Sequence, residues 1–277
     1  MDSKKYYSWV LYDWANSAYA TIVLAGFFPI IFAEYYASSI SLSERTLYLG
    51  ISNSSASLIL IFIAPVFGLL SDRFSNKKIF LTVFAVLSII STIILSFISK
   101  DNYVLASIFF SISLLGFMMS NVFYDSMLLN FKSDEYDKIS SIGYAFGYLG
   151  GGLAFIFTLA LLYFNVDLSS ELFQSKKIVF IFAAAWWLIF MTPLFLYWSD
   201  KDIPSQSTSL IDTFKEITTK KPIFLFLIAY WIYIDGVDTI IRMAINYGLT
   251  LGFTSSDLLI ALLVTQFVAF PGTLLIN

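Results

Sequence analysis

The stretch Gly68-Leu69-Leu70-Ser71-Asp72-Arg73-Phe74-Ser75-Asn76-Lys77-Lys78 separates two long apolar runs, Thr46 to Ser71 and Ile79 to Ile98. Each run has roughly the 20 residues that a helix needs to cross a bilayer. The turn between them gathers Arg73, Lys77 and Lys78 beside Asp72, and cations concentrated in a short turn mark the cytoplasmic side. Working outward, six more runs are long enough to span: Trp9 to Tyr36, Tyr103 to Tyr124, Ile139 to Phe164, Ile178 to Trp198, Pro222 to Tyr247 and Leu258 to Ile276. None alternates apolar and polar residues in the segments of about ten that a membrane barrel requires. All eight therefore read as helices, and the fold class as an all-α membrane protein.

Composition supports this. Of 277 residues, 58% are apolar and 13% charged, against roughly 25% charged in a soluble domain. A mean hydropathy of +0.81 cannot be hidden in one aqueous core, because the surface would be apolar too. The net charge is −3 with scattered basic residues, so the clustered Lys and Arg of a nucleic-acid footprint are missing and no nucleic-acid partner is expected. The sequence holds no cysteine, which excludes disulfides, thiolate metal sites and cysteine nucleophiles. It also holds no histidine, so proton chemistry falls to carboxylates, tyrosines and lysines. No metal or cofactor is expected, and no Gly-rich Lys-Ser/Thr motif offers direct coupling to ATP.

The cations set an orientation. With the amino end inside, the inner side holds Lys4, Lys5, Arg73, Lys77, Lys78, Lys132, Lys138, Lys201, Lys215, Lys220 and Lys221, and the outer side Arg45, Lys100, Lys176 and Lys177. That asymmetry predicts cytoplasmic termini. Lys4 and Lys5 precede an apolar run with no evident Ala-x-Ala-like cleavage site, so a retained first helix is expected. Tyr6, Tyr7, Trp9, Tyr35, Tyr36, Tyr103, Tyr197 and Trp198 stand near segment ends as interfacial anchors. The longest hydrophilic stretch, Ser199 to Lys221, follows the sixth run and reads as a linker. It divides the chain into 1–198, 199–221 and 222–277. Within it Leu210, Phe214 and Ile217 fall at helical spacing beside charged residues, which predicts a short amphipathic helix on the inner surface.

Ionisable residues inside a span are costly, and so are functional candidates. Asp235, Asp238 and Arg242 share one face of the seventh span at i, i+3 and i+7. Asp238 and Arg242 are spaced to pair, which leaves Asp235 as a candidate proton carrier; a purely structural ion pair is the alternative. The first span repeats the arrangement: aligning Asp13 with Asp235 sets Asn16 against Asp238 and Ser17 against Thr239, with Tyr12 and Tyr233 close before them. The fourth span adds Asn121, Tyr124 and Asp125. In the fifth, Gly143, Gly147 and Gly151 recur every four residues beside Gly150 and Gly152, a small-residue face for close helix packing.

The Gly68-to-Lys78 turn resembles the conserved loop of the major facilitator superfamily, with Ser75 and Asn76 where that family usually has Gly and Arg. Trp9-Val-Leu-Tyr12-Asp13-Trp14-Ala-Asn16-Ser17-Ala and Tyr233-Ile-Asp235-Gly236-Val-Asp238-Thr239-Ile-Ile-Arg242-Met are similar to its vacuole-effluxer-like branch, which includes fungal vacuolar amino-acid exporters and bacterial relatives. The resemblance implies a twelve-helix bundle in two six-helix halves with alternating access to a central site. It makes the first, fourth and seventh helices the cavity wall, with Asp235 at the site and Asp13 and Asp125 nearer the cytoplasmic end. It implies secondary transport of a small polar solute, with amino acids and protons as candidates, and the inner cell membrane if the source is bacterial. A zwitterion could set its carboxylate on Arg242 and its amine on Asp235 or Asp13. In the motif, Gly68 would allow close helix approach and Asp72 would face a helix amino end.

Two other classes stay open. Tyr12-Asp13 and Tyr124-Asp125 mimic one signature of intramembrane aspartyl proteases, though Gly-x-Gly-Asp and Pro-Ala-Leu are absent. A non-transporting membrane protein is the other. Eight spans against twelve also lead to the expectation that four further helices, or a partner chain, complete the second half.

Overall fold

The computed structural model describes residues 3–164, 176–200 and 210–275. It holds eight helices long and apolar enough to span: Ser3–Tyr36, Leu42–Phe74, Lys77–Leu95, Tyr103–Asn130, Ser133–Phe164, Ile178–Tyr197, Lys221–Thr250 and Ser255–Leu275. They correspond one to one with the eight apolar runs, each extended or trimmed by a few residues at its ends. A shorter helix, Leu210–Thr219, precedes the seventh span where the amphipathic pattern falls. Lys201 and the remainder of 201–209 lie outside the described residues, as does Ile276 at the close of the eighth run.

The first span is the hub. It packs against the fifth and sixth spans, the third pairs with the fourth, the second lies on the fourth and the eighth lies on the fifth. Trp9, Tyr12, Ala15, Ala18, Tyr19 and Ile22 of the first span are all buried, with small and large side chains interleaved so that neighbours can approach. Two stretches of this span, Tyr19–Phe27 and Phe32–Tyr36, are π-helical. Such wide turns occur mostly inside α-helices and frequently at functional positions.

Local chemistry explains the ends of the other spans. Ser41 starts the second with a capping box: its hydroxyl accepts from the Glu44 amide at 3.3 Å, and the Glu44 carboxylate accepts from the Ser41 amide at 2.9 Å. Ser75 ends it in the left-handed conformation at φ 47, and the Asn76 side chain caps the third by accepting from Ile79 N at 3.3 Å. Spans three and four meet closely at Gly116, where a Cβ would stand 2.7 Å from the Phe84 carbonyl and 2.8 Å from Ser88 N. Around that contact runs a buried polar ladder. Ser88 donates to the Ser113 carbonyl at 2.7 Å, Thr92 and Ser113 hydroxyls meet at 2.7 Å, and Ser113 donates to the Tyr19 hydroxyl at 3.0 Å. Bonds of this kind average about 0.6 kcal/mol within a membrane, so the ladder fixes which faces meet more than it holds them together.

The motif turn is a clasp. Lys77 Nζ lies 3.8 Å from Asp72 Oδ1 and donates to the Ser126 carbonyl at 3.3 Å. Lys78 Nζ donates to the Phe195 and Trp198 carbonyls at 3.2 and 2.8 Å. These carbonyls lie at or near the carboxyl ends of spans four and six, where unpaired oxygens and the helix dipole both favour a cation. The amide of Lys78 in turn donates to Asp200 at 3.1 Å. Lys5 closes the same corner, donating to the Ser199 carbonyl at 2.6 Å with its ammonium 4.3 Å from the Trp198 ring centroid. Arg73 is exposed. Gly68 does not serve close approach: a Cβ there would meet nothing within 4 Å, because this end of the second span turns a half-buried, lightly packed face outward.

At the opposite end Glu34 bridges two regions, accepting from Lys176 Nζ at 2.8 Å and from Ser255 Oγ at 2.7 Å. Nearby, Asp101 accepts from Ser38 Oγ at 2.7 Å and Ser39 N at 2.8 Å. The Ser38 hydrogen bond is the main reason the Asp101 carboxyl is held below its ordinary range.

Candidate functional site

Helical spacing puts Trp9, Asp13, Asn16 and Ala20 on one face of the first span, and Asn121, Asp125 and Leu128 on one face of the fourth. These faces, with parts of spans five, seven and eight, enclose a cavity of about 730 Å³. Asp13 is half-buried and Asp125 exposed, and both line the cavity. Asn16 Nδ2 donates to Asn121 Oδ1 at 2.6 Å, joining spans one and four across the wall. Trp9 stacks on Tyr124 with ring centroids 4.4 Å apart and planes 12° apart, and its indole N–H donates to the Tyr124 carbonyl at 3.2 Å. Tyr124 is 5% exposed and its hydroxyl has no hydrogen-bond partner among the described residues.

The glycine face of span five shapes this wall. A Cβ at Gly147 would stand 2.9 Å from both Asp13 Oδ2 and Ser17 Oγ, and one at Gly143 would stand 3.2 Å from the Tyr124 hydroxyl. The missing side chains are what let the polar atoms of spans one and four rest against the fifth helix.

Of the residues singled out from the sequence, Asp13, Asn16, Asn121, Tyr124 and Asp125 line the cavity together. Tyr12 does not; it is fully buried behind the wall, its ring centroid 5.1 Å from that of Tyr124. Asp235, Asp238 and Arg242 are not brought to the cavity either. Asp235 is exposed. Arg242 Nη2 pairs with Asp238 Oδ2 at 2.8 Å while Nη1 donates to Ser57 Oγ of the second span at 3.1 Å. The carboxylate clamp expected of Arg242 is therefore not assembled at the cavity. The reason is helical: the seventh span turns Ile240, Ile241, Ala244 and Ile245 inward, and its charged face points elsewhere. The apparent repeat between spans one and seven thus joins residues with different surroundings.

Ser140, Tyr144 and Tyr148 of span five and Thr265 and Gln266 of span eight also line the cavity and were not among the candidates. A signal was present in both cases. Tyr144 and Tyr148 are four apart beside the glycine face, and Thr265 and Gln266 are polar residues inside an apolar span.

The seventh span contacts the others mainly through its later half. Asn246 Nδ2 donates to Thr46 Oγ1 at 3.2 Å, and Ile245, Asn246 and Gly248 are its buried residues, whereas Phe226, Tyr230, Trp231 and Tyr233 are exposed. With the Glu34 bridge, spans seven and eight close on the rest at that end.

Eight apolar spans around a largely apolar cavity that carries two carboxylates form an integral, multi-pass membrane protein, and the relatives give its class as transporter. Residues 44–135 and 129–277 match the family described as vacuole effluxer Atg22 like. The chain belongs to that family, within the major facilitator superfamily. It is 36% identical over 285 residues to a Bacillus subtilis (strain 168) protein described as an uncharacterized MFS-type transporter, YxiO, covering 99% of this chain and 67% of the relative. It is 27% identical over 236 residues to an uncharacterized protein of Aquifex aeolicus (strain VF5), covering 85% of this chain and 55% of the relative. No solved structure matches.

Proposed function

We propose that this chain moves a small polar solute across the membrane by secondary, alternating-access transport, with amino acids as the class that the family resemblance favours. The observation that carries the reading is the cavity, whose wall holds two carboxylates, Asp13 and Asp125. Intramembrane carboxylates facing a cavity rather than lipid mark solute and proton pathways. The lysine and arginine distribution supports cytoplasmic termini, and the bacterial relatives favour a cell membrane. The reading involves no catalytic step. Asp235 lies exposed at mid-span, where bare lipid would be costly for a carboxylate, and the relatives are longer than this chain. Further helices, or a partner chain, accordingly cover that face.

The test is counterflow of labelled amino acids in proteoliposomes loaded with the unlabelled mixture. Transient accumulation is expected with the unaltered chain, and a loss of about tenfold or more in Asp13→Asn and Asp125→Asn, since an intramembrane carboxylate on a solute pathway is a functional group. Accumulation that both variants leave unchanged would remove the cavity from the transport path.

A further inference from the structure

The charged side chains lining the cavity are Asp13 and Asp125, both acidic. The nearest intramembrane cation in the seventh span, Arg242, is paired with Asp238 and lies outside the lining. Among the described residues a carboxylate would meet only neutral donors there, such as Tyr144 and Gln266, while a cation would meet two carboxylates. The chemistry of the wall narrows which cation. An ammonium group presents three N–H donors and no acceptor, and the wall offers acceptors of matching number in two carboxylates and the Tyr124 hydroxyl. That hydroxyl is buried without a partner, on a residue that lines the cavity and stacks on Trp9. Among the described residues no group of three or more carboxylates is placed to hold a metal ion. Ile240, Ile241, Leu258 and Leu262 on spans seven and eight are suited to an aliphatic body.

We propose that the cavity recognises its solute through a primary ammonium group held by Asp13, Asp125 and Tyr124, with an aliphatic body against spans seven and eight and no clamp for a carboxylate. This rests on the cavity being the transport site, and it names the solute class for that site. Gly143 and Gly147 serve it by leaving room for the Tyr124 hydroxyl and the Asp13 carboxylate.

The test is equilibrium binding to the full chain in lipid nanodiscs at neutral pH, with three probes of one shape: 3-methylbutylamine, leucine and 4-methylpentanoate. The amine is expected to bind at least as tightly as leucine, and the carboxylate to bind more than tenfold more weakly. Asp13→Asn and Asp125→Asn should each weaken the amine by about tenfold or more, and Tyr124→Phe by several-fold. Asp13→Glu should recover part of the loss, which a folding defect would not do. Carboxylate binding equal to the amine's, or amine binding unchanged in Asp13→Asn/Asp125→Asn, overturns the proposal. If the amine fails to bind while Asp13-dependent counterflow of amino acids persists, the ammonium site is wrong and the transport reading stands. If neither binding nor counterflow is seen, both fall.

Discussion

At Gly147 one hydrogen in place of a methyl group decides where a carboxylate stands. Alanine there would put its Cβ 2.9 Å from both Asp13 Oδ2 and Ser17 Oγ, so the side chains of span one must give way or the helices separate. Gly147→Ala is expected to lose about 1–3 kcal/mol, as overpacked interiors do, and to lower counterflow. Gly68→Ala is the matched control, because its added methyl meets open space. It should be neutral, or gain up to about 1 kcal/mol of helix propensity. Thermal unfolding of the two variants side by side is the measurement, and equal effects would show that the contact at Gly147 is unimportant. The glycine periodicity of span five was legible in the sequence, and so were Asp13, Asn16 and Asp125 as polar residues in apolar runs. What spacing does not reveal is which helix a face meets, so Tyr144 and Tyr148 went unnoticed and Asp235 was expected at the site.

Among elements, the sixth span depends on its neighbours for its carboxyl end. Pro193 lies within its last turns and Trp198 leaves it in extended conformation, and carbonyls at its end are taken up by Lys78 of the motif turn and Lys5. A cation at a helix carboxyl end contributes typically 0.3 to about 1 kcal/mol. Lys78→Met is expected to raise deuterium uptake at the amides of 194–198, including the Trp198 N–H that donates to the Leu194 carbonyl at 3.0 Å, while leaving 178–185 unchanged. Uniform uptake along the span would argue against a local cap. The motif read from the sequence as a cation-bearing turn was a sound guide to place, but its partners come from spans four and six, far along the chain. The π-helical stretches of span one were not legible either. Phe155 of span five lies close to Gly26 within the first of them, and no local residue preference announces them.

For the whole molecule, eight spans were countable because burial in lipid needs length and apolarity, both visible residue by residue. The arrangement of those spans was not, because a helix that is apolar all round gives little sign of which side faces protein. Orientation rests on the cation bias and is directly measurable, since the chain contains no cysteine. Lys100→Cys and Asp134→Cys place single thiols on exposed positions at opposite ends. In intact cells a membrane-impermeant maleimide is expected to label position 100 and to spare 134; the reverse pattern would invert the topology.

The polar contacts that join spans seven and eight to the rest at the Glu34 end are few, beside the apolar packing of Leu262 and Phe267 on spans one and five. Ser255 of span eight reaches Glu34 at 2.7 Å, and the Lys176 pair on the same carboxylate, 39% and 46% exposed, ties span one to the start of span six and is worth about 0–1 kcal/mol. The Asn246 and Ser255 bonds add fractions of a kilocalorie each by the same measure of intramembrane bonds. A gate of about 1 kcal/mol holds its closed form only about fivefold over its open one. If these polar contacts are the seal of the proposed alternating-access cycle, a closure that light leaves both forms populated, which suits a carrier that passes between them every cycle better than a firm seal.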